Sequence, residues 1–143
     1  MSSAFARQPL LRLLAPLGLM SVIFFFSAQP YDGHKMVWWE VVGRNLGHFG
    51  GYAMLAAVWC WALWGRVRGP LIWAAALSLA YAIGDEYHQT FVEGRTGTWE
   101  DVALDAAGIA AAVLLISRRP QAAKTKQFKD AGRPPERAYS ERT

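Results

Sequence analysis

The chain has 143 residues, a formal net charge of +4, one cysteine, 53% hydrophobic residues and 18% charged residues, against roughly 25% charged in an average soluble domain. The apolar and aromatic content excludes a disordered chain. The lone cysteine excludes an internal disulfide framework, and the length excludes two large domains.

In chain order, the apolar residues form four blocks: Leu13–Ala28, Leu46–Trp64, Leu71–Gly84 and Val102–Ile116. About 20 helical residues cross a hydrocarbon core of about 30 Å. The second block has that length, and the others reach it with their flanking turns. Met54–Trp64 and Leu71–Ile83 carry no charge on any face. Helices apolar all round are buried on every side or sit in lipid, and a chain this small cannot bury four of them in water. The expectation is therefore an all-α, four-helix transmembrane bundle. Residues 1–12 form an N-terminal segment, 13–116 the membrane domain and 117–143 a polar, basic tail read as disordered. Arg7 and Arg12 precede the first block as they would in a signal peptide. Phe26, however, stands where a peptidase cutting after Ala28 needs a small residue, so the block reads as a retained span.

Charge sets the expected topology. Twelve of the fifteen Lys and Arg residues fall in the N-terminal segment, the connection after the second block and the tail. The positive-inside rule then places both termini in the cytoplasm. Eight of the eleven acids lie on the other side, which makes the balance +9 inside and −5 outside. The basic tail reads as an anchor on anionic lipid. A nucleic-acid partner is not expected, because no aromatic interleaving or folded basic face accompanies the charge. Trp38, Trp39, Trp64, Trp73 and Trp99 fall near span ends, as in an interfacial belt. Cys60, between Trp59 and Trp61, reads as a small apolar filler.

The chemistry concentrates between Ala82 and Asp101. On a helix Asp85, His88 and Gln89 share a face, with Glu86 about 100° away. Gly94-Arg95-Thr96-Gly97 reads as a turn, and Thr98 to Asp101 as a capping box opening the fourth helix. Asp101, Asp105, Gly108 and Ala112 then line one face, while His48 and Tyr52 lie one turn apart on the second span. Gly47 and Gly51 are expected to allow a close helix contact, which also makes a homodimer an expectation. Carboxylates near lipid must face the interior and be paired. Arg95, the outer cation nearest the acids in sequence, is expected to pair with Asp101 or Glu86. No nucleophile–base pair is evident, because Ser27 has no histidine near it in sequence.

Asp85-x-x-His88 has the spacing of a di-metal carboxylate–histidine motif, but no second copy exists: His34 and His48 follow Tyr31 and Asn45 at that offset. No resident cofactor is expected. A single Mg²⁺ or Ca²⁺ on Asp85, Glu86, Asp101 and Asp105 is the alternative.

Ser27-Ala28-Gln29-Pro30, His48-Phe49-x-x-Tyr52 and Asp85-Glu86-x-x-Gln89-x-Phe91-x-x-Gly94-Arg95, followed by Asp101 and Gly108, resemble the VanZ-like membrane proteins over roughly Leu13 to Ile116. Three positions depart from the family's pattern: Asp105 stands where Asn is usual, Glu93 where Pro commonly precedes Gly-Arg, and His88 occurs in only some members. The resemblance implies a multi-pass bacterial cytoplasmic-membrane protein acting at the envelope. The family's named member is associated with resistance to the lipoglycopeptide teicoplanin.

These readings converge on an outward acidic site that recognises or modifies an amphipathic envelope substrate, such as a lipid-linked saccharide or a lipoglycopeptide, among membrane lipids. In the enzymatic version Asp85 or Glu86 is the general acid/base and Asp101 orients Arg95. Arg95 holds an anionic group. Gln89 donates to the substrate, and His48, Tyr52, His88, Gly94 and Asp105 complete the binding set. A non-enzymatic scaffold or binder is the second reading. A small proton-coupled transporter is the third, and is disfavoured because Leu71–Ala80 offers only Ser78 as a polar residue.

Overall fold

The computed structural model describes residues 3–118, with side chains from residue 11 onward. The chain forms four helices: α1 (Ser3–Ser27), α2 (Trp38–Leu63), α3 (Pro70–Gln89) and α4 (Trp99–Ser117). No strand occurs among the described residues. The tail beyond residue 118 lies outside them. By length and composition, α2 is long and apolar enough to cross a membrane, whereas the apolar stretch of α1, Leu11–Ser27, is shorter. Polar residues at the C-terminal end of α3 and the N-terminal end of α4 dilute their apolar content.

Helix α2 starts earlier than the apolar pattern indicates. Glu40 accepts the Val37 N–H at 3.0 Å and satisfies one of the donors left open at the helix start. The helix therefore begins at Trp38, and Arg44 lies on it, one turn before His48. At the far end Gly69 adopts a left-handed conformation and Pro70 opens α3, where a missing N–H costs nothing. Thr98 caps α4, its hydroxyl accepting the Asp101 N–H at 3.3 Å. The second arm of the expected capping box is absent. The Thr98 N–H donates instead to Glu86 Oε1 at 2.8 Å, which ties the start of α4 to the end of α3.

Helix α2 is the centre of the bundle, packing most extensively on α4 and then on α3. Helix α1 lies against α2 and touches α3 little; one link is the Tyr81 hydroxyl, which donates to the Met20 carbonyl at 2.6 Å. Tyr52, Leu55, Ala56, Ala82, Ile109 and Ala112 form the apolar core. Gly108 lets α4 approach α2, because a β-carbon there would run into the backbone of Phe49. Gly47 and Gly51 have no such neighbour. Within the chain they do not make the close contact expected of them, and their missing side chains leave room for a cleft between α1 and α2.

At one end the two connections touch. The Tyr31 N–H donates to the Glu93 carbonyl at 3.0 Å. Gly94 has φ +74°, and any β-carbon on it would overlap the Tyr31 backbone.

Gly108→Val forces α4 away from α2 and should destabilise the fold by about 1–3 kcal/mol. Gly51→Ala has open space in a helix interior and should raise stability by up to about 1 kcal/mol. Thermal unfolding of the detergent-purified protein, followed by circular dichroism, checks both.

Candidate functional site

Four carboxylates are buried at the end of the bundle where the two connections meet: Asp85, Glu86, Asp101 and Asp105. Burying a charge is costly unless it is paired and hydrogen-bonded, so their partners define the site.

Helix α2 supplies a ladder. Arg44, His48 and Tyr52 recur every four residues and share a face. Arg44 Nη2 donates to Asp101 Oδ1 at 3.4 Å. His48 Nδ1 lies 3.0 Å from Asp105 Oδ1. Each rung joins residues 57 apart, so α2 and α4 run parallel and in register. The Tyr52 hydroxyl turns to α3 and donates to Asp85 Oδ2 at 3.2 Å.

Asp85 joins three helices. Besides Tyr52 it accepts the Ser27 hydroxyl from α1, Oγ to Oδ1 at 2.5 Å. Gln89 Nε2 lies 3.5 Å from Asp85 Oδ2 and 3.2 Å from Glu86 Oε2. The Gln89 amide thus directs its donors at the two acids, and its oxygen accepts Arg95 Nη1 at 3.0 Å.

Arg95 corrects the sequence reading. It pairs with neither Asp101 nor Glu86. Its Nε donates to the Gln29 carbonyl at 2.9 Å and its Nη2 to the Phe26 carbonyl at 3.1 Å. These carbonyls lie at the end of α1, where the helix leaves acceptors open and its dipole favours a cation. The cation on Asp101 is Arg44, so Asp101 orients Arg44 rather than Arg95.

The structure therefore brings together Asp85, Glu86, Asp101, Asp105, His48, Tyr52 and Gln89, with Arg95 at the edge through Gln89. Gly94 shapes the turn that carries Arg95. His88 stands apart, stacked on Phe24 with ring centroids 4.7 Å apart. Although it shares a helical face with Asp85 in projection, α1 covers it with an aromatic ring rather than a polar group. Ser27 and Arg44 are the members that sequence reasoning missed. Ser27 has no histidine near it in sequence, and its actual partner, Asp85, lies 58 residues away. Arg44 precedes the apolar block that begins at Leu46, although its spacing of four from His48 is a usable signal.

The site opens into a cleft of about 340 Å³ between α1, α2 and α3. Leu19, Val22, Ile23 and Phe26 line its apolar side; Ser27, His48, Tyr52, Asp85 and the two arginines line its polar end. A second cavity, of about 330 Å³, lies under the connections and shares Arg44, Gln89 and Arg95 with the first. Between α1 and α2, His34 is hydrogen-bonded to Asp32 and Glu40. The Asp32 bond, followed by that to Glu40, raises the His34 pKa above its ordinary value, and the same His34 contact lowers that of Asp32.

Fold and site together define an all-helical protein with a buried carboxylate cluster beside an amphipathic cleft. The family model described as VanZ/LLP1 matches residues 12–119, most of the chain, and the protein belongs to that family. No curated protein and no solved structure matches it.

Exchanging the charges of the Arg44–Asp101 rung tests the register. Arg44→Asp and Asp101→Arg alone should each destabilise the protein. The double variant should recover part of the loss, with a coupling energy of about 0.5–3 kcal/mol in a double-mutant cycle. The same exchange between Arg95 and Asp101 should recover nothing.

Proposed function

We propose that this protein is a multi-pass component of the bacterial cytoplasmic membrane, with four spanning helices and cytoplasmic termini, that recognises the anionic head of an amphipathic envelope molecule. A lipid-linked saccharide or a lipoglycopeptide has the required form. One observation carries this reading: a single cleft joins a wall of Leu19, Val22, Ile23 and Phe26 to Arg44 and Arg95. Its volume falls in the usual range of small-molecule sites, about 300–1,000 Å³. An acyl or prenyl chain fits the apolar side, and guanidinium groups are the preferred partners of phosphate and carboxylate.

The distribution of side chains supports the membrane setting. Phe25, Phe26, Ile72 and Leu115 are exposed, while Ser27, Ser78, Asp85, Glu86, Gln89, Asp101 and Asp105 are buried. Such an arrangement suits a chain whose solvent is lipid. Trp38, Trp39 and Trp99 are exposed at one end, and Trp64 and Trp73 at the other, where interfacial belts would lie. Single cysteines introduced into a Cys60→Ala background test the topology. A cysteine at Gly33 should react with an impermeant maleimide in intact cells, and one at Val67 should react only after permeabilisation.

A catalytic version of this reading rests on Asp85. Its 2.5 Å contact with the Ser27 hydroxyl lies beside the cleft. Glu86, by contrast, accepts from the Thr98 N–H and Gln89 and lines a separate cavity. Asp85 is therefore the proposed acid/base, with Ser27 beside it. Mass spectrometry of lipid extracts from wild-type and deletion strains should reveal the envelope molecule whose level or form depends on the protein. Gly51→Phe should fill the cleft and abolish binding of that molecule to the purified protein. Arg44→Gln should weaken binding by roughly tenfold or more. If turnover occurs, Asp85→Asn should bind the molecule yet yield no product. Identical lipid extracts would reject the reading, as would unchanged binding of the identified molecule in Gly51→Phe.

A further inference from the structure

We propose that His48, Glu86 and Asp105 form a binding site for one divalent transition-metal ion of the zinc class. The three residues come from α2, α3 and α4 and converge at the centre of the carboxylate cluster. One ligand atom from each lies within 4.8 Å of the others. Ligands about 2.0–2.2 Å from a shared ion stand at most about 4.4 Å apart, so small side-chain rotations close the set.

A second observation points to a ligand. Asp105 is 1% exposed, and its Oδ2 has no hydrogen-bond partner among the described residues. A buried carboxylate oxygen without a partner is costly, and a cation at this point satisfies it.

Charge points the same way. Arg44 is engaged by Asp101, and Arg95 by Gln89 and the carbonyls at the end of α1. Asp85, Glu86 and Asp105 are left with hydroxyl, amide and imidazole partners. A divalent ion supplies the missing positive charge.

The donor set selects the ion. Magnesium and calcium favour all-oxygen surroundings, whereas one imidazole with two carboxylates suits zinc and its first-row neighbours. This differs from the sequence expectation of no cofactor and from its alternative of Mg²⁺ or Ca²⁺ on four acids, because Asp101 is held by Arg44 and Asp85 by Ser27 and Tyr52. Glu86 is oriented by the Thr98 N–H and by Gln89, the kind of outer support that metal ligands use. The proposal stands independently of the lipid reading.

The test uses the full-length protein, purified in detergent, stripped with a chelator, loaded with zinc alone and desalted before elemental mass spectrometry. The wild type should retain a single zinc per chain. His48→Gln and Asp105→Asn should weaken zinc binding by about tenfold or more, and His34→Gln, in the outer loop, should bind as the wild type does. Failure of the wild type to retain zinc overturns the proposal, as does wild-type retention by both cluster variants. Should the variants fail to fold, cobalt added to the wild type decides. Visible absorption bands of a nitrogen–oxygen cobalt site, displaced by zinc, support the site, and their absence overturns it.

Discussion

The structure depends on the burial of four carboxylates at one end of a small helical bundle. An uncompensated carboxylate in a low-dielectric interior is among the most costly things a fold can contain. Asp101 and Asp105 lie one turn apart on α4, so α2 must offer partners at the same spacing, and Arg44 and His48 do so. That requirement fixes the direction and register of α2 against α4. Gly108 permits the approach by leaving the Phe49 backbone unobstructed. A rotation or slip of either helix would separate both rungs at once.

The rest of the end of the bundle follows from these rungs. With α2 and α4 locked, Tyr52 reaches Asp85 on α3, and Ser27 brings the end of α1 to the same carboxylate. Arg95 closes the arrangement from outside by holding the last carbonyls of α1 and the Gln89 amide. Helix α1 is held at its end by polar contacts but packs on α3 only sparingly. Opposite Gly47 and Gly51 this leaves the space that becomes the cleft. The apolar side of that cleft and its polar end are thus consequences of how the carboxylates are partnered.

Much of this was legible in the sequence. The four apolar blocks mark the four helices, and the acid-rich stretch from Asp85 to Asp105 marks the site. Thr98 announces the start of α4 through its side-chain chemistry. Legibility failed at pairings. Arg95 is six residues from Gln89 and six from Asp101, yet it binds the former and not the latter, because the end of α1 draws its other donors. Arg44 was hidden by the interruption Gly43-Arg44-Asn45, which separates the apolar block at Leu46 from the helix start at Trp38, where Glu40 caps the helix. His88 has the periodicity of a site residue, but Phe24 of α1 covers it.

Sequence by itself determined the helical class, the family, and the concentration of acids near the end of the third block. These properties are local: composition, period and short motifs belong to contiguous residues. Tertiary structure alone decided which cation serves which acid, that Ser27 meets Asp85, that Gly47 and Gly51 border a cleft, and that one oxygen of Asp105 lacks a partner. Those outcomes depend on contacts between residues 57 or 58 positions apart. Such contacts are set by competition among all polar groups for the few partners available in a buried space.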